Sequence, residues 1–407
     1  DVDTVHYLGL LKSVLGAVDT ENYTYGELFN EVNARTGGIA YGIEVFDDAK
    51  DTDALRAMFA VRGKALYPEM DFMFSMIREV LTTSKLDDTK RLYEIIARVR
   101  SRAQASLASA GHSTAVLRGA SYASPMAAFQ DEMAGIGYYH FIEKLEKDFD
   151  SCKVEIVKNL RKVMEEVLRP ENFCVSYTGE RESLDVVKTQ AAGIKKVLFN
   201  GQKPEPVKQA PCIKKNEAFK TSGQVKYVAQ NGNFRKKGLE YTGALEILKV
   251  ILSYDYLWIN LRVKGGAYGC MSGFKRNGES FLVSYRDPHL KRTLEVYQGV
   301  PDYIRAFEAD EREMTKYIIG TISNKDVPRT PQMQGSISKT AYFSKVTEDM
   351  LQKERNQILG AQKEDIQKLA ALVEAVLSDD QICVVGSETA IENAEDVFME
   401  VKPLIGC

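Results

Sequence analysis

The sequence predicts an α+β chain built from two homologous domains, each a mostly antiparallel sheet with helices packed on one face. Three observations predict it. A glycine motif, Thr36-Gly37-Gly38-Ile39-Ala40-Tyr41-Gly42, recurs as Lys264-Gly265-Gly266-Ala267-Tyr268-Gly269. An apolar run, Phe173-Cys174-Val175-Ser176-Tyr177, recurs as Ile382-Cys383-Val384-Val385-Gly386, in the same order and again after a long polar stretch. Elsewhere apolar residues fall at helical spacing in some segments and alternate in others. The offset is 228 residues from Thr36 to Lys264 and 209 from Phe173 to Ile382, as loops of unequal length would give.

The elements follow in order. The first repeat is placed at 1–199 and the second at 219–407. They are joined by a linker at 200–218, where Pro204, Pro206 and Pro211 crowd a polar stretch. Residues 101–125 are rich in Ala and Ser, which suits close helix packing. Long amphipathic helices are expected over 126–168 and 350–377, and both 173–177 and 382–386 read as buried strands. Residues 219–229 read as a strand opening the second repeat. Position 229 aligns with about position 1, so that strand has no counterpart in the first repeat. A missing strand would leave an unpaired sheet edge, which proteins avoid. The chain is therefore expected to be a fragment, or to receive that strand from another segment.

In the second repeat Tyr241, Leu245, Leu248 and Leu252 mark a helix, and a short one follows through Trp258 and Leu261. Residues 267–274 and 279–285 form a hairpin across Asn277-Gly278, a pair that tolerates the positive φ of a type I′ turn. Leu294, Tyr297, Ile304 and Phe307 mark one more helix, with a kink expected at Pro301.

Composition removes several function classes. Among 407 residues, 54 basic and 57 acidic side chains give a formal charge of −3, against a nucleic-acid platform. No run approaches the length of a membrane span, and residues 1–6 lack the pattern of a signal peptide. Six cysteines, Cys152, Cys174, Cys212, Cys270, Cys383 and Cys407, never form a C-x-x-C pair. Their scatter suits free thiols in a reducing compartment, and a cytoplasmic, bacterial setting is expected.

Most motifs carry no chemistry. A zinc peptidase needs two histidines one helical turn apart. The four here are His6, His112, His140 and His289. His140-Phe141-Ile142-Glu143-Lys144 approaches H-x-x-E-H, but Lys144 occupies the second ligand position and its ammonium would repel a metal, so His140 reads as a helix-surface residue. Gly119-Ala120-Ser121-Tyr122-Ala123 only half matches a nucleophile elbow, and Ser336-Ile337-Ser338-Lys339 is an S-x-x-K of the kind chance supplies. No metal ligand set and no catalytic nucleophile is assigned.

One constellation remains, Arg262-Val263-Lys264-Gly265-Gly266-Ala267-Tyr268-Gly269. Gly265 and Gly266 form a hinge that can end the helix in a left-handed cap. It brings the Arg262 guanidinium and the Tyr268 phenol to one helix–sheet corner. Arg can grip peptide carbonyls or a carboxylate in forked geometry, and Tyr can donate to an oxyanion. Alternatively, Arg262 merely caps a helix C-terminus, where cations are favoured. The residues alone leave both open. In the first repeat Tyr41 is present, but the matching arginine is displaced to Arg35.

The run Leu257-Trp258-Ile259-Asn260-Leu261-Arg262-Val263-Lys264-Gly265-Gly266-Ala267-Tyr268-Gly269, with Ser284-Tyr285-Arg286-Asp287-Pro288, resembles the C-terminal half of peptidases of the presequence-protease/falcilysin type, in the pitrilysin/insulysin family of inverzincins. Gly135-Ile136-Gly137-Tyr138-Tyr139 and Ile318-Ile319-Gly320-Thr321-Ile322 agree. The resemblance implies four α+β domains in two halves that close around unfolded peptides. Zinc would then lie in an N-terminal half, which is a partner segment of the same protein. The two repeats would be the third and fourth domains. Arg262 and Tyr268 would reach peptide substrates near the scissile bond, with no nucleic-acid or membrane partner. This chain alone is expected to bind no zinc and to be inactive. The alternatives are a non-catalytic partner subunit and a structural paralogue.

Overall fold

A computed structural model describes residues 4–203 and 211–406; Pro204 and Pro206 of the expected linker, and Cys407, lie outside them. The α+β class holds in both repeats, with unequal sheets. In the first, β1 (Ile39–Phe46) and β2 (Arg56–Gly63) form a two-stranded antiparallel ribbon with Tyr41 opposite Val61. Helices Val5–Val14, Met70–Thr83, Thr89–Ser109 and Phe149–Val167 surround a core that includes Leu10, Leu11, Ile77, Ile95 and Ile156. The pairs Ile77–Leu81, Leu92–Ile96 and Ile156–Leu160 repeat at i, i+4, which keeps one apolar stripe per helix inward. The expected buried strand at 173–177 is not one: Cys174, Val175 and Ser176 are exposed and the segment is unpaired. Among the described residues no strand lies beside it to bury it.

The second repeat carries a six-stranded sheet. Its strands are β3 (Glu217–Thr221), β4 (Lys226–Asn233), β5 (Gly269–Phe274), β6 (Glu279–Tyr285), β7 (Gln381–Ser387) and β8 (Glu400–Pro403). The order is β5-β6-β4-β7-β3-β8. The β5–β6, β6–β4 and β4–β7 pairs are antiparallel, whereas β7–β3 and β3–β8 are parallel. The single strand expected at 219–229 is two. The Gly223 amide donates to Thr221 Oγ1 at 3.3 Å and turns the chain between β3 and β4.

One face of this sheet packs against its own helices through Leu245, Leu248, Ile251 and Leu252 of Ala244–Tyr254. The first repeat covers the other face. Its Gly111–Ala120 helix lies on β4 and β7, where a Cβ on Gly111 would stand 2.3 Å from the Tyr227 ring and one on Gly119 2.5 Å from Asn231 Oδ1. The Ala/Ser-rich stretch thus serves close packing, against a sheet rather than another helix.

Other expectations shift for local reasons. The helix over 126–168 divides into Pro125–Ala134, Ile136–Lys147 and Phe149–Val167, and the one over 350–377 into Glu348–Leu359, Lys363–Gln367 and Ala370–Leu377. Pro301 lies in the first turn of Val300–Arg305, where its missing N–H has no partner to lose, so it starts a helix instead of kinking one. In the hairpin only Gly278 has positive φ, at 90°. Its amide donates to Lys275 O at 2.9 Å, closing a four-residue loop rather than a type I′ turn.

Candidate functional site

Residues Trp258–Val263 form a π-helical turn. Its signature bond runs from the Lys264 amide to Ile259 O at 2.9 Å. Such wide turns cluster at functional sites. The hinge then reverses the chain: the Gly266 amide donates to Arg262 O and the Ala267 amide to Leu261 O, both at 2.9 Å. Gly266 has φ 79°, open to glycine at little cost. Gly265 is required for space, because a Cβ there would stand 2.5 Å from Leu261 O.

Both substitutions follow from this geometry. Gly266→Ala should destabilise the second repeat by about 1 kcal/mol. Gly265→Ala should cost more, because backbone oxygen cannot move aside as a side chain can. Urea midpoints of the two variants check the ranking.

The hinge delivers Tyr268 to the start of β5. Its amide donates to Tyr285 O at 3.0 Å, its ring meets Tyr285 edge-on at 5.8 Å, and it is 64% exposed. Arg262 is also exposed. Its guanidinium carbon lies 4.1 Å from the Trp258 ring centre and 5.5 Å from that of Tyr268. Cation–π contact at an exposed site contributes roughly 0.5–1 kcal/mol, enough to hold the plane without using its donors. Among the described residues no carboxylate or carbonyl accepts from the Arg262 side chain. Arg262 lies in the last turn of this helix, and the bonds of the glycine hinge end it.

The first repeat handles the matching groups differently. Arg35 is ion-paired to Glu69 at 2.8 Å and stacked on Phe72 at 3.7 Å. Tyr41 is half-buried, and burial pushes its hydroxyl pKa up. The arginine of one copy is paired internally, and that of the other is open.

Three neighbours escaped the sequence reading as site residues. Trp258 precedes Arg262 by four residues, a spacing that could have flagged the stack. Tyr285 supports Tyr268 from β6. Arg286 has φ 50°, an unusual backbone for a residue with a Cβ. The exposed Arg286 guanidinium approaches the Tyr285 ring at 5.5 Å, and a hydrogen bond with the Tyr227 hydroxyl raises its pKa. No residue type announces that backbone. Buried Asp287 fixes it, accepting from Thr293 Oγ1 at 2.7 Å and the His289 amide at 2.8 Å. With Ile259 at 41% and Val263 at 67% exposure, the corner combines cations, phenols and apolar surface. Burial pushes the nearby Cys270 thiol up to about 11, so it is a poor nucleophile.

The rejected motifs stay structural. His140 is half-buried, not on the helix surface, and burial lowers its pKa. Ser121 Oγ donates to Arg118 O at 2.6 Å within a helix end. Lys339 is held by Glu44 rather than directed at Ser336. Among the described residues, no group of three or more His, Cys, Asp or Glu could hold a metal ion. Nor is any helix there long and apolar enough to cross a membrane.

Known proteins resemble this chain in sequence, and solved structures resemble it in fold. Residues 1–145 match the family model of the region associated with peptidase M16, subfamily C, and residues 216–388 match the PreP C-terminal domain. Protein HypA of Clostridium perfringens is 38% identical over 99% of this chain and 41% of its own length. The chloroplastic/mitochondrial presequence protease 1 of Arabidopsis thaliana is 28% identical over 94% of this chain and 36% of its own. The chain therefore spans about two fifths of the length of these relatives. Among solved structures, a peptidase M16 inactive domain from Pseudomonas fluorescens shares the fold over 93% of this chain and 87% of that one, with TM-score 0.58 and 12% identity. The periplasmic protease PqqL of Escherichia coli does so over 94% and 41%, with TM-score 0.56 and 12% identity.

Proposed function

The chain belongs to the presequence-protease type of peptidase M16, and from that premise we propose that it is the substrate-binding, chamber-closing half of a zinc metalloendopeptidase acting on unfolded oligopeptides. The observation that carries the reading is the asymmetry between the repeats. The first repeat satisfies its arginine with Glu69, whereas the second leaves Arg262 and Tyr268 open on a purpose-shaped hinge. Exposed donors without internal partners are what a substrate site requires.

The roles follow from donor geometry. Arg262 grips backbone carbonyls or a carboxylate of the peptide with its forked donors. Tyr268 donates its hydroxyl to oxygen charge that develops at the scissile amide. Trp258 holds the guanidinium plane. Arg262 and Tyr268 act on peptide main chain, so sequence preference is loose. Splitting the site between two halves makes closure a condition of catalysis, which excludes water and selects peptides that fit inside.

Among the described residues no set of side chains fits zinc. Lys144 stands where His140 and Glu143 would need a second ligand, and no step of the proposal runs through a metal held by them. In this reading the zinc lies in an N-terminal half of the same protein. A cytoplasmic, bacterial setting is part of the proposal and rests on the scattered free thiols.

The test compares this chain with the natural full-length polypeptide on a fluorogenic unfolded oligopeptide. The full-length protein should carry an upstream H-x-x-E-H motif and cleave the peptide, with this chain alone inactive. A full-length protein that lacks the motif and cleaves nothing would instead make the chain a non-catalytic partner subunit or a structural paralogue.

A further inference from the structure

The open corner extends past the Arg262–Tyr268 pair. Guanidinium groups and rings alternate along it. The Arg262 guanidinium carbon lies 5.5 Å from the Tyr268 ring centre, and that ring stands 5.8 Å from Tyr285. The Arg286 guanidinium carbon then lies 5.5 Å from the Tyr285 ring centre. Arg286 thus attends the Tyr285 end of the phenol pair as Arg262 attends the Tyr268 end. Tyr285 itself is fixed by the Tyr227 ring at 5.5 Å and by His112 of the first repeat, edge-on at 4.9 Å.

Arg286 is held in place against its own backbone preference, because φ 50° strains a residue with a Cβ. The neighbouring chain enforces it. The Asp287 main chain exchanges two hydrogen bonds with Lys226, at 2.8 and 3.0 Å, and Lys226 Nζ donates to Pro288 O at 2.7 Å. Arg286 O accepts from the Tyr268 amide at 3.4 Å, so strained residue and tyrosine form one unit. Strain over-determined in this way collects at ligand clamps. Charge around the unit has one sign. Lys264 and Arg292 meet at the hinge, where an Arg292 guanidinium nitrogen lies 3.4 Å from Lys264 O. Arg262, Lys264, Arg286 and Arg292 are all exposed, and among the described residues none of them is ion-paired. The acidic residues between Tyr256 and Arg292 are Glu279 and Asp287, both buried. Asp396, from the C-terminal segment, is taken by Lys291.

We propose that Arg286 is a specificity residue of this corner, gripping a carboxylate on the bound peptide while Arg262 and Tyr268 hold the main chain. The carboxylate is that of an acidic side chain or of the free C-terminus. This inference rests on the reading of the corner as a peptide site, and adds one charge preference to an otherwise loose selection. Arg286 donates to the Tyr227 hydroxyl, which steadies the group and leaves the other donors of its fork for the ligand. Lys264 and Arg292 supply a positive field that favours the same charge.

The test measures kcat/KM of the natural full-length polypeptide on fluorogenic oligopeptides of one sequence. A single Glu is moved through the positions on either side of the scissile bond. Each peptide is compared with its Gln and Lys counterparts, and with free and amidated C-termini. The wild type should favour one carboxylate over its amide by about tenfold, which identifies the source. Arg286→Gln should erase that ratio with circular dichroism unchanged. Arg286→Glu should invert it, favouring the Lys or the amidated peptide, a swap that a folding defect cannot produce. A wild-type ratio near one for every carboxylate, or a ratio that survives Arg286→Gln, would overturn the proposal. If Arg262→Ala then still slows all the peptides, the peptide-site reading stands without it. If Arg262→Ala slows none, the corner is not a substrate site and both readings fall.

Discussion

If the proposed function holds, Arg262→Ala in the full-length polypeptide should lower kcat/KM for an unfolded oligopeptide by about ten- to a thousandfold, with folding intact. Among the described residues the guanidinium makes ring contacts alone, to Trp258 and Tyr268, so its removal breaks no ion pair there and leaves no buried charge alone. A loss of activity is then a loss of substrate contact. Arg262→Lys keeps the charge but not the fork, and should recover only part of the activity. Arg35→Ala is the internal control. It removes an exposed ion pair with Glu69 and a stack on Phe72, and should change stability slightly and kcat/KM not at all. Steady-state kinetics with circular dichroism separates these outcomes. Unchanged kinetics in Arg262→Ala would remove the proposed role.

Arg118→Ala should be the most destabilising single change, costing about 3–5 kcal/mol. Arg118, on the Gly111–Ala120 helix, joins the repeats. Its guanidinium donates to Glu217 of β3 at 2.6 and 2.9 Å and to Asp131 at 2.7 Å. Tyr122 Oη donates to Glu217 at 3.1 Å, and Lys402 lies 3.3 Å from it. Glu217 is fully buried and Asp131 nearly so. Without the arginine, two carboxylates remain in a low-dielectric interface with too few donors. The triple variant Arg118→Met, Glu217→Gln, Asp131→Asn should lose less, because no charge is left unpaired.

The same knot sets an acid limit. Burial opposes the charge on Glu217, but the Arg118 hydrogen bonds and charge outweigh it and hold its carboxyl down at about 2, against an ordinary 4.5. A lowered folded pKa contributes stability that is present above the unfolded value. That stability fades as pH falls from about 4.5 towards 2, and the amount lost is about 3 kcal/mol. Complete burial pushes the Asp131 carboxyl the other way, against the opposing pull of Arg118. Thermal unfolding between pH 5 and pH 2.5 should therefore show a steep fall that Glu217→Gln flattens.

The glycine hinge and the nearness of Arg262 to Tyr268 are legible in the sequence because each rests on local chemistry. Gly265 and Gly266 are needed by the backbone path, and a repeated motif is visible without coordinates. Two other features depend on partners distant in sequence. Phe173–Tyr177 has a strand's composition, but composition cannot show that its neighbour is missing. Arg118 meets Glu217 from 99 positions away, and nothing local marks either as half of a buried pair. Arg286 takes its left-handed backbone from the Asp287 anchor, a tertiary effect that its own side chain does not encode.

Site-specific photo-crosslinking puts the central claim to its most direct test. Tyr268 of the full-length polypeptide is replaced by p-benzoylphenylalanine, and an unfolded oligopeptide is added under light. A matched probe at Val154, exposed on a helix of the first repeat, serves as control. The account predicts a peptide adduct at position 268 and none at 154. Peptide captured at 154 but not at 268 would contradict it.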